Sequence, residues 1–128
     1  MLNKANVEEA GYSADTIQSM DDIIKICQQA QANGKLGFLY RGDSQNNLVV
    51  DFMPILLSYG GWVVDENNQP TVNTPEFTEA MNAYMELVKT GEAQVKDDLV
   101  ASIDSGAATM GIGWPGWYTP TEDSAADY

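Results

Sequence analysis

Gly106-Ala107-Ala108-Thr109-Met110-Gly111-Ile112-Gly113-Trp114-Pro115-Gly116-Trp117-Tyr118 is the stretch on which the reading of this chain turns. Gly106 reads as a helix stop, the short apolar run behind it as a buried strand, and the Gly/Pro/aromatic remainder as an irregular turn. A rigid strand that delivers two indoles and a phenol onto a loop suits a flat-faced ligand. Sugar rings are the usual example, because their C–H faces pack on an indole while their hydroxyls seek polar partners at its edge. The same aromatics would also serve as core filling. These residues alone leave both readings open.

Working outward, a short helix over about Lys96 to Ser105 precedes Gly106, with Leu99, Val100 and Ile103 inward. Before it, Thr74-Pro75-Glu76 is a strong helix start: a hydroxyl N-cap, proline in the first turn, then an acid favoured by the dipole. Phe77, Met81, Tyr84 and Val88 mark its expected buried face, and Gly91 its stop. Trp62 to Asp65 and Thr71-Val72 suggest a small hairpin around Glu66-Asn67-Asn68-Gln69-Pro70. That segment lacks the alternating oxygens and the downstream Glu of an EF-hand loop, so it reads as a turn rather than a calcium site. Leu48 to Tyr59 reads as a helix stopped by Gly60-Gly61, with Val49, Phe52, Met53, Leu56 and Leu57 on one face. Pro54 either kinks it or marks where its regular turns begin.

Leu36 to Tyr40 reads as a buried strand, and the polar segment Arg41 to Asn47 as the loop at its carboxyl end, where open α/β sheets place ligands. Arg41, the one arginine of the chain, offers five fixed donors to hydroxyls or carboxylates. Alternatively it pairs with Asp43 or Asp51. The Arg-Gly-Asp tripeptide is too short to carry meaning. Further toward the N-terminus, Ser19 to Asp22 fits a capping box before a helix with Met20, Ile23, Ile24, Cys27 and Ala30 on one face, ended by Asn33-Gly34. Cys27 reads as a small buried hydrophobe. A first short helix covers Lys4 to Ala10, with Val7 and Ala10 packing and Gly11 as its stop.

Composition narrows the function. The chain has 128 residues, enough for one domain, and 19 acidic against 6 basic side chains for a net charge of −13. The basic groups are scattered, which argues against nucleic acid and against an anionic membrane surface. The absence of histidine excludes Ser-His-Asp and Cys-His catalysis and His-ligated metal. One cysteine allows no internal disulfide. No stretch is apolar for long enough to span a bilayer, and no signal peptide opens the chain.

Several stretches in order resemble one family. They are Leu2-Asn3-Lys4 with Glu9-Ala10-Gly11-Tyr12, the capped helix at Ser19, Lys35-Leu36-Gly37-Phe38 with Arg41-Gly42, Pro54 to Gly61, Asn73-Thr74-Pro75-Glu76, and Gly106 to Met110. Together they resemble the extracellular solute-binding proteins of bacterial ABC importers, the family of maltose-binding protein and of binding proteins for other sugars and polyols. The likeness runs to about Tyr118. The chain departs from it at Met20, where the family commonly has tryptophan, and in the Trp114-Pro115-Gly116-Trp117 loop, so that either indole is a candidate to stack on ligand.

The resemblance implies an α/β fold, part of a periplasmic-binding-protein-like (type II) lobe with several helices on a small mixed sheet. Residues 1–118 would belong to the C-terminal lobe, and residues 119–128 would be an acidic tail prone to fray. It implies a non-catalytic ligand-binding wall for a neutral saccharide or polyol, with no cofactor and no metal, delivery to a membrane permease, and a place in the periplasm or on the outer face of the cell envelope. Trp114 and Trp117 would supply stacking, and Arg41, Asp43, Asn47 and, more weakly, Asp51 the edge hydrogen bonds. An apolar face left by absent elements would favour homo-oligomerisation, and a lone wall would lack the opposite lobe that a cleft site needs. Two other classes stay in view: a structural or protein-interaction domain docking through Trp114 to Tyr118, and a carboxylate-pair glycosidase using Asp43 and Asp51.

Overall fold

The computed structural model describes residues 1–117 together with the strand Ala126–Asp127. Five strands, β1 (Leu2–Asn3), β2 (Leu36–Tyr40), β3 (Glu92–Ala93), β4 (Ala108–Gly111) and β5 (Ala126–Asp127), form one mixed sheet in the order β3-β2-β4-β1-β5. β2 runs parallel to both β3 and β4, with Leu39 opposite Glu92 on one side and Gly111 on the other. β1 is antiparallel to β4 and to β5. The other residues of the expected tail, and Tyr118, lie outside the described residues.

The helices are α1 (Lys4–Glu9), α2 (Met20–Ala32), α3 (Gln45–Ser58), α4 (Pro75–Val88) and α5 (Lys96–Asp104). Central parallel strands are covered on both faces, so their residues are apolar in succession rather than in alternation. Phe38 of β2 joins Cys27, Ile55, Leu56, Tyr84, Leu87 and Met110 in the larger core beneath α2, α3 and α4. Leu39, its neighbour, packs with Leu99 and Ile103 of α5 in the smaller one.

Local chemistry accounts for the helix ends. Ser19 and Asp22 form the full capping box, and Thr74 caps α4 with Pro75 in its first turn. The stops read at Gly11, Gly34, Gly60 and Gly106 all adopt positive φ, between 75° and 87°. Gly91 differs. It lies where the chain leaving α4 crosses β2, with the Gly37 amide donating to the Thr90 carbonyl at 2.8 Å. A Cβ on Gly91 would stand 1.8 Å from the Phe38 carbonyl oxygen. Gly91→Ala is therefore expected to cost about 2 kcal/mol by forcing β2 and this crossing apart, read as a lower urea midpoint.

The buried faces differ from the expected ones in two helices. In α3 the inward set is Asp51, Phe52, Ile55 and Leu56, while Val49 and Leu57 are more than half exposed. The helix starts at Gln45, capped by the Ser44 hydroxyl, and Pro54 lies inside it rather than at its start. In α4 the inward set is Ala80, Ala83, Tyr84 and Leu87, because small residues let α3 and α2 approach closely; Met81 faces outward. The expected hairpin reduces to one bridge, Val64 to Pro70, with Asp65 accepting the amides of Asn67 and Gln69 at 2.8 Å each. That carboxylate is committed to its own turn.

Two side chains invisible as a site in the pattern tie the N-terminal segment to the α5–β4 connection. The Asn3 side chain caps α1 and donates to the Ile103 carbonyl at 2.8 Å. Asn6 donates to the Gly106 and Ala108 carbonyls at 3.0 and 3.1 Å. They hold α1 against the α5–β4 connection and so fix where β4 begins.

Burial pushes the Cys27 thiol up to about 12, offset in part by a Thr90 hydrogen bond, and pushes Tyr84 up to about 12, with the charges of Asp51 and Tyr40 adding and Arg41 opposing. In the unfolded chain both groups ionise nearer their ordinary 9.0 and 10.0. Their contribution to stability is then whole below about pH 9 and is lost as pH rises toward about 12. The urea midpoint is expected to hold near neutrality and to fall in that alkaline window. Cys27 should resist thiol reagents until the chain unfolds.

Candidate functional site

Three parallel strands, β3, β2 and β4, end at one edge of the sheet. The segments leaving that edge are Arg41–Ser44 before α3, Ile112–Trp117 after β4, and Gln94–Val95 before α5. Pairing of Leu39 with Gly111 puts the first two side by side. Segments far apart in the sequence therefore meet at the carboxyl end of adjacent strands, the usual ligand edge of an open α/β sheet.

Arg41 directly follows β2 and is buried, at 6% exposure. Its main-chain N–H donates to Asp51 Oδ2 at 2.9 Å, its Nε to Asp51 Oδ1 at 3.0 Å, and its Nη2 also to Oδ1. Asp51, on the inner face of α3, is fully buried. Nη1 of Arg41 donates to Asn47 Oδ1 at 3.2 Å, and Asn47 Nδ2 donates to Asp43 Oδ1 at 2.9 Å. Asp43 is exposed and Asn47 partly so. The polar candidates thus form one continuous row, from a buried ion pair outward to a solvent-facing carboxylate. The guanidinium itself lies toward the buried end of that row rather than on the surface.

The aromatic half sits on the turn after β4. Pro115–Trp117 forms a short 3-10 turn closed by the Trp117 amide on the Trp114 carbonyl at 2.9 Å. Trp114 is 53% exposed. Trp117 is partly buried, with Arg41 Cζ 5.2 Å and Lys96 Nζ 5.8 Å from its ring centroid. Its indole is engaged by cations from two other segments, whereas Trp114 offers its surface to solvent. Lys96 was not among the expected site residues, since nothing in the sequence brings the start of α5 to this edge. Trp117 also borders a groove of about 300 Å³ with Lys96, Val100 and Asp104. Behind the row, the Tyr84 hydroxyl is buried with no hydrogen-bond partner among the described residues. No group of three or more His, Cys, Asp or Glu side chains able to hold a metal occurs among the described residues.

Asp51 cannot face a substrate while it is sealed against Arg41, so it is not free to act as the second carboxylate of a glycosidase pair with Asp43. The edge can stack and hydrogen-bond a ligand.

The family described as bacterial extracellular solute-binding protein matches residues 1–128. The chain belongs to this family. Solved structures agree on the fold, a type II periplasmic-binding-protein-like arrangement of helices on a mixed sheet. A sugar transporter from Arthrobacter chlorophenolicus A6 with bound laminaribiose shares 20% identity at a TM-score of 0.72, over 86% of this chain and 29% of its own. Maltose-bound MalE3 of T. maritima shares 26% identity at 0.69, over 85% of this chain and 30% of its own. A cyclic alpha-maltosyl-1,6-maltose binding protein from Arthrobacter globiformis shares 24% at 0.64, over 84% and 29%. This chain therefore spans under a third of the length of these structures. Among curated proteins no significant match is found.

Proposed function

We propose that the chain supplies one wall of a non-catalytic saccharide site in an ABC importer's solute-binding protein, as part of its C-terminal lobe, at the cell envelope. The observation that carries this reading is the placement of an exposed indole, Trp114, and the polar pair Asp43–Asn47 on the segments that leave adjacent parallel strands at their carboxyl edge. An indole face suits the C–H surface of a sugar, and an amide beside a carboxylate suits hydroxyls. The only guanidinium is already paired with Asp51, and an anion would approach a chain of net charge −13. Neutral saccharides or polyols are thus favoured. The neighbours named above as sugar-bound support that class. A membrane permease is the corresponding protein partner.

The edge is open on one side, so a ligand held between two walls binds more weakly to this chain alone. Titration of tryptophan emission with neutral disaccharides and polyols is expected to give a saturable change, absent with sugar acids. Saturation by anionic sugars alone, or sugar released from a glycoside panel, would overturn the reading.

A second use rests on the exposed apolar side chains Leu57, Trp62, Val63 and Val72 at the far end of α3. They favour contact with another protein, including a second copy. Sedimentation over a range of concentrations tests that.

A further inference from the structure

The Asp51–Arg41 pair is set back from the ligand edge. Burying two charges costs several kcal/mol per ion, and an apolar pair of similar volume would fill the same space without that cost. What the charges add is direction. Asp51 accepts the main-chain N–H, Nε and Nη2 of Arg41, and Asn47 accepts Nη1, so two residues of α3 fix the plane of the guanidinium. The guanidinium so held sits over the Trp117 ring, with Cζ 5.2 Å from the centroid. Lys96 approaches the same ring from α5. The Trp117 amide in turn holds the Trp114 carbonyl.

We propose that Asp51 and Arg41 are positioning residues, a clamp that presets the 114–117 turn: Trp117 is the anchor of that turn and Trp114 the indole presented to ligand. A lysine at position 41 would bring a point charge without the fixed fork of donors that Asp51 and Asn47 hold, so the clamp is specific to the guanidinium. The consequence for binding rests on the saccharide reading above; the clamp itself does not.

The test uses the single arginine, which gives one Nε–H cross-peak in a proton–nitrogen correlation spectrum. In the parent protein that peak is expected to exchange slowly with water and to be shifted upfield by the Trp117 ring. Trp117→Leu, which leaves the buried ion pair intact, moves it downfield; Trp117→Phe, which restores a ring, returns it toward the parent position; Trp62→Leu leaves it in place. A peak that does not respond to Trp117→Leu in a folded chain, or that exchanges rapidly in the parent, overturns the clamp. The ligand arm measures maltose binding to the same variants. Trp117→Leu, with Trp114 still present, is expected to bind on the order of tenfold more weakly, and Trp117→Phe to recover part of that loss. Unchanged affinity in a variant whose arginine peak has moved overturns the positioning role. If the parent binds no saccharide at all, the functional reading fails, and the arginine peak alone decides the clamp.

Discussion

Asp51→Ala is expected to lower stability by about 3–5 kcal/mol, the largest effect of any single substitution considered for this chain. The reason is the asymmetry of buried charge. In the folded protein Arg41 is 6% exposed and Asp51 fully buried, and the carboxylate takes three of the arginine's donors. Removing the carboxylate leaves a guanidinium that can neither lose its proton nor reach water without displacing α3. For a domain of this size the melting temperature should fall by roughly 15 °C. The double replacement Arg41→Met with Asp51→Leu should recover most of that loss, because it removes both charges together. Thermal unfolding of the three chains checks this. A loss under about 1 kcal/mol for Asp51→Ala, the range of an exposed pair, would mean that water reaches the site.

Trp114→Ala is expected to do the opposite: little to stability and much to binding. The side chain is 53% exposed and belongs to neither core cluster. Its loss should shift the melting temperature by no more than about 2 °C. If its indole carries the stacking surface, saccharide affinity should fall about tenfold to a hundredfold, as the loss of a central aromatic contact does. Asp43→Ala, at the outer end of the polar row, should weaken binding less, since an exposed carboxylate competes with water for every hydroxyl it meets. Calorimetric titration of the two variants with one disaccharide orders these effects. Equal affinity of Trp114→Ala and the parent would remove Trp114 from the site.

Much of the fold was legible because its signals are local. Glycine after an apolar periodic run marks a helix end for a steric reason, and Gly11, Gly34, Gly60 and Gly106 all take the left-handed conformation that only glycine adopts freely. Ser19 with Asp22, and Thr74 with Pro75, announced α2 and α4 in the same way. The strands β1, β3 and β5 were not legible: each has two residues, fewer than one period of alternation.

The buried face of α3 departs from the hydrophobic pattern for a reason that bears on the site. Gln45-Asn46-Asn47 reads as loop by composition, but Ser44 caps a helix there. A helix starting at Gln45 carries Asp51 inward beneath Arg41, and the inward stripe then includes an aspartate while Val49 and Leu57 turn out. A hydrophobicity pattern cannot anticipate that, because the partner that makes Asp51 tolerable in the interior lies on another element. Ser44 followed three residues later by Asn47 was the available signal. Composition and spacing named the residue types of the site, Arg41, Asp43, Asn47, Asp51, Trp114 and Trp117. Which of these face solvent and which lie behind follows only from the parallel pairing of β2 with β4.

The three tryptophans allow one direct measurement. α3 runs about 20 Å from the ligand edge to the end near Trp62, so the indole N–H resonances of Trp62, Trp114 and Trp117 report on two ends of the molecule. A saccharide titration followed at these three resonances should move Trp114 most, Trp117 less and Trp62 not at all, with one saturation curve. Movement of Trp62 with Trp114 and Trp117 fixed, or no movement of any indole at saturating disaccharide, would contradict the assignment of this edge as a saccharide wall.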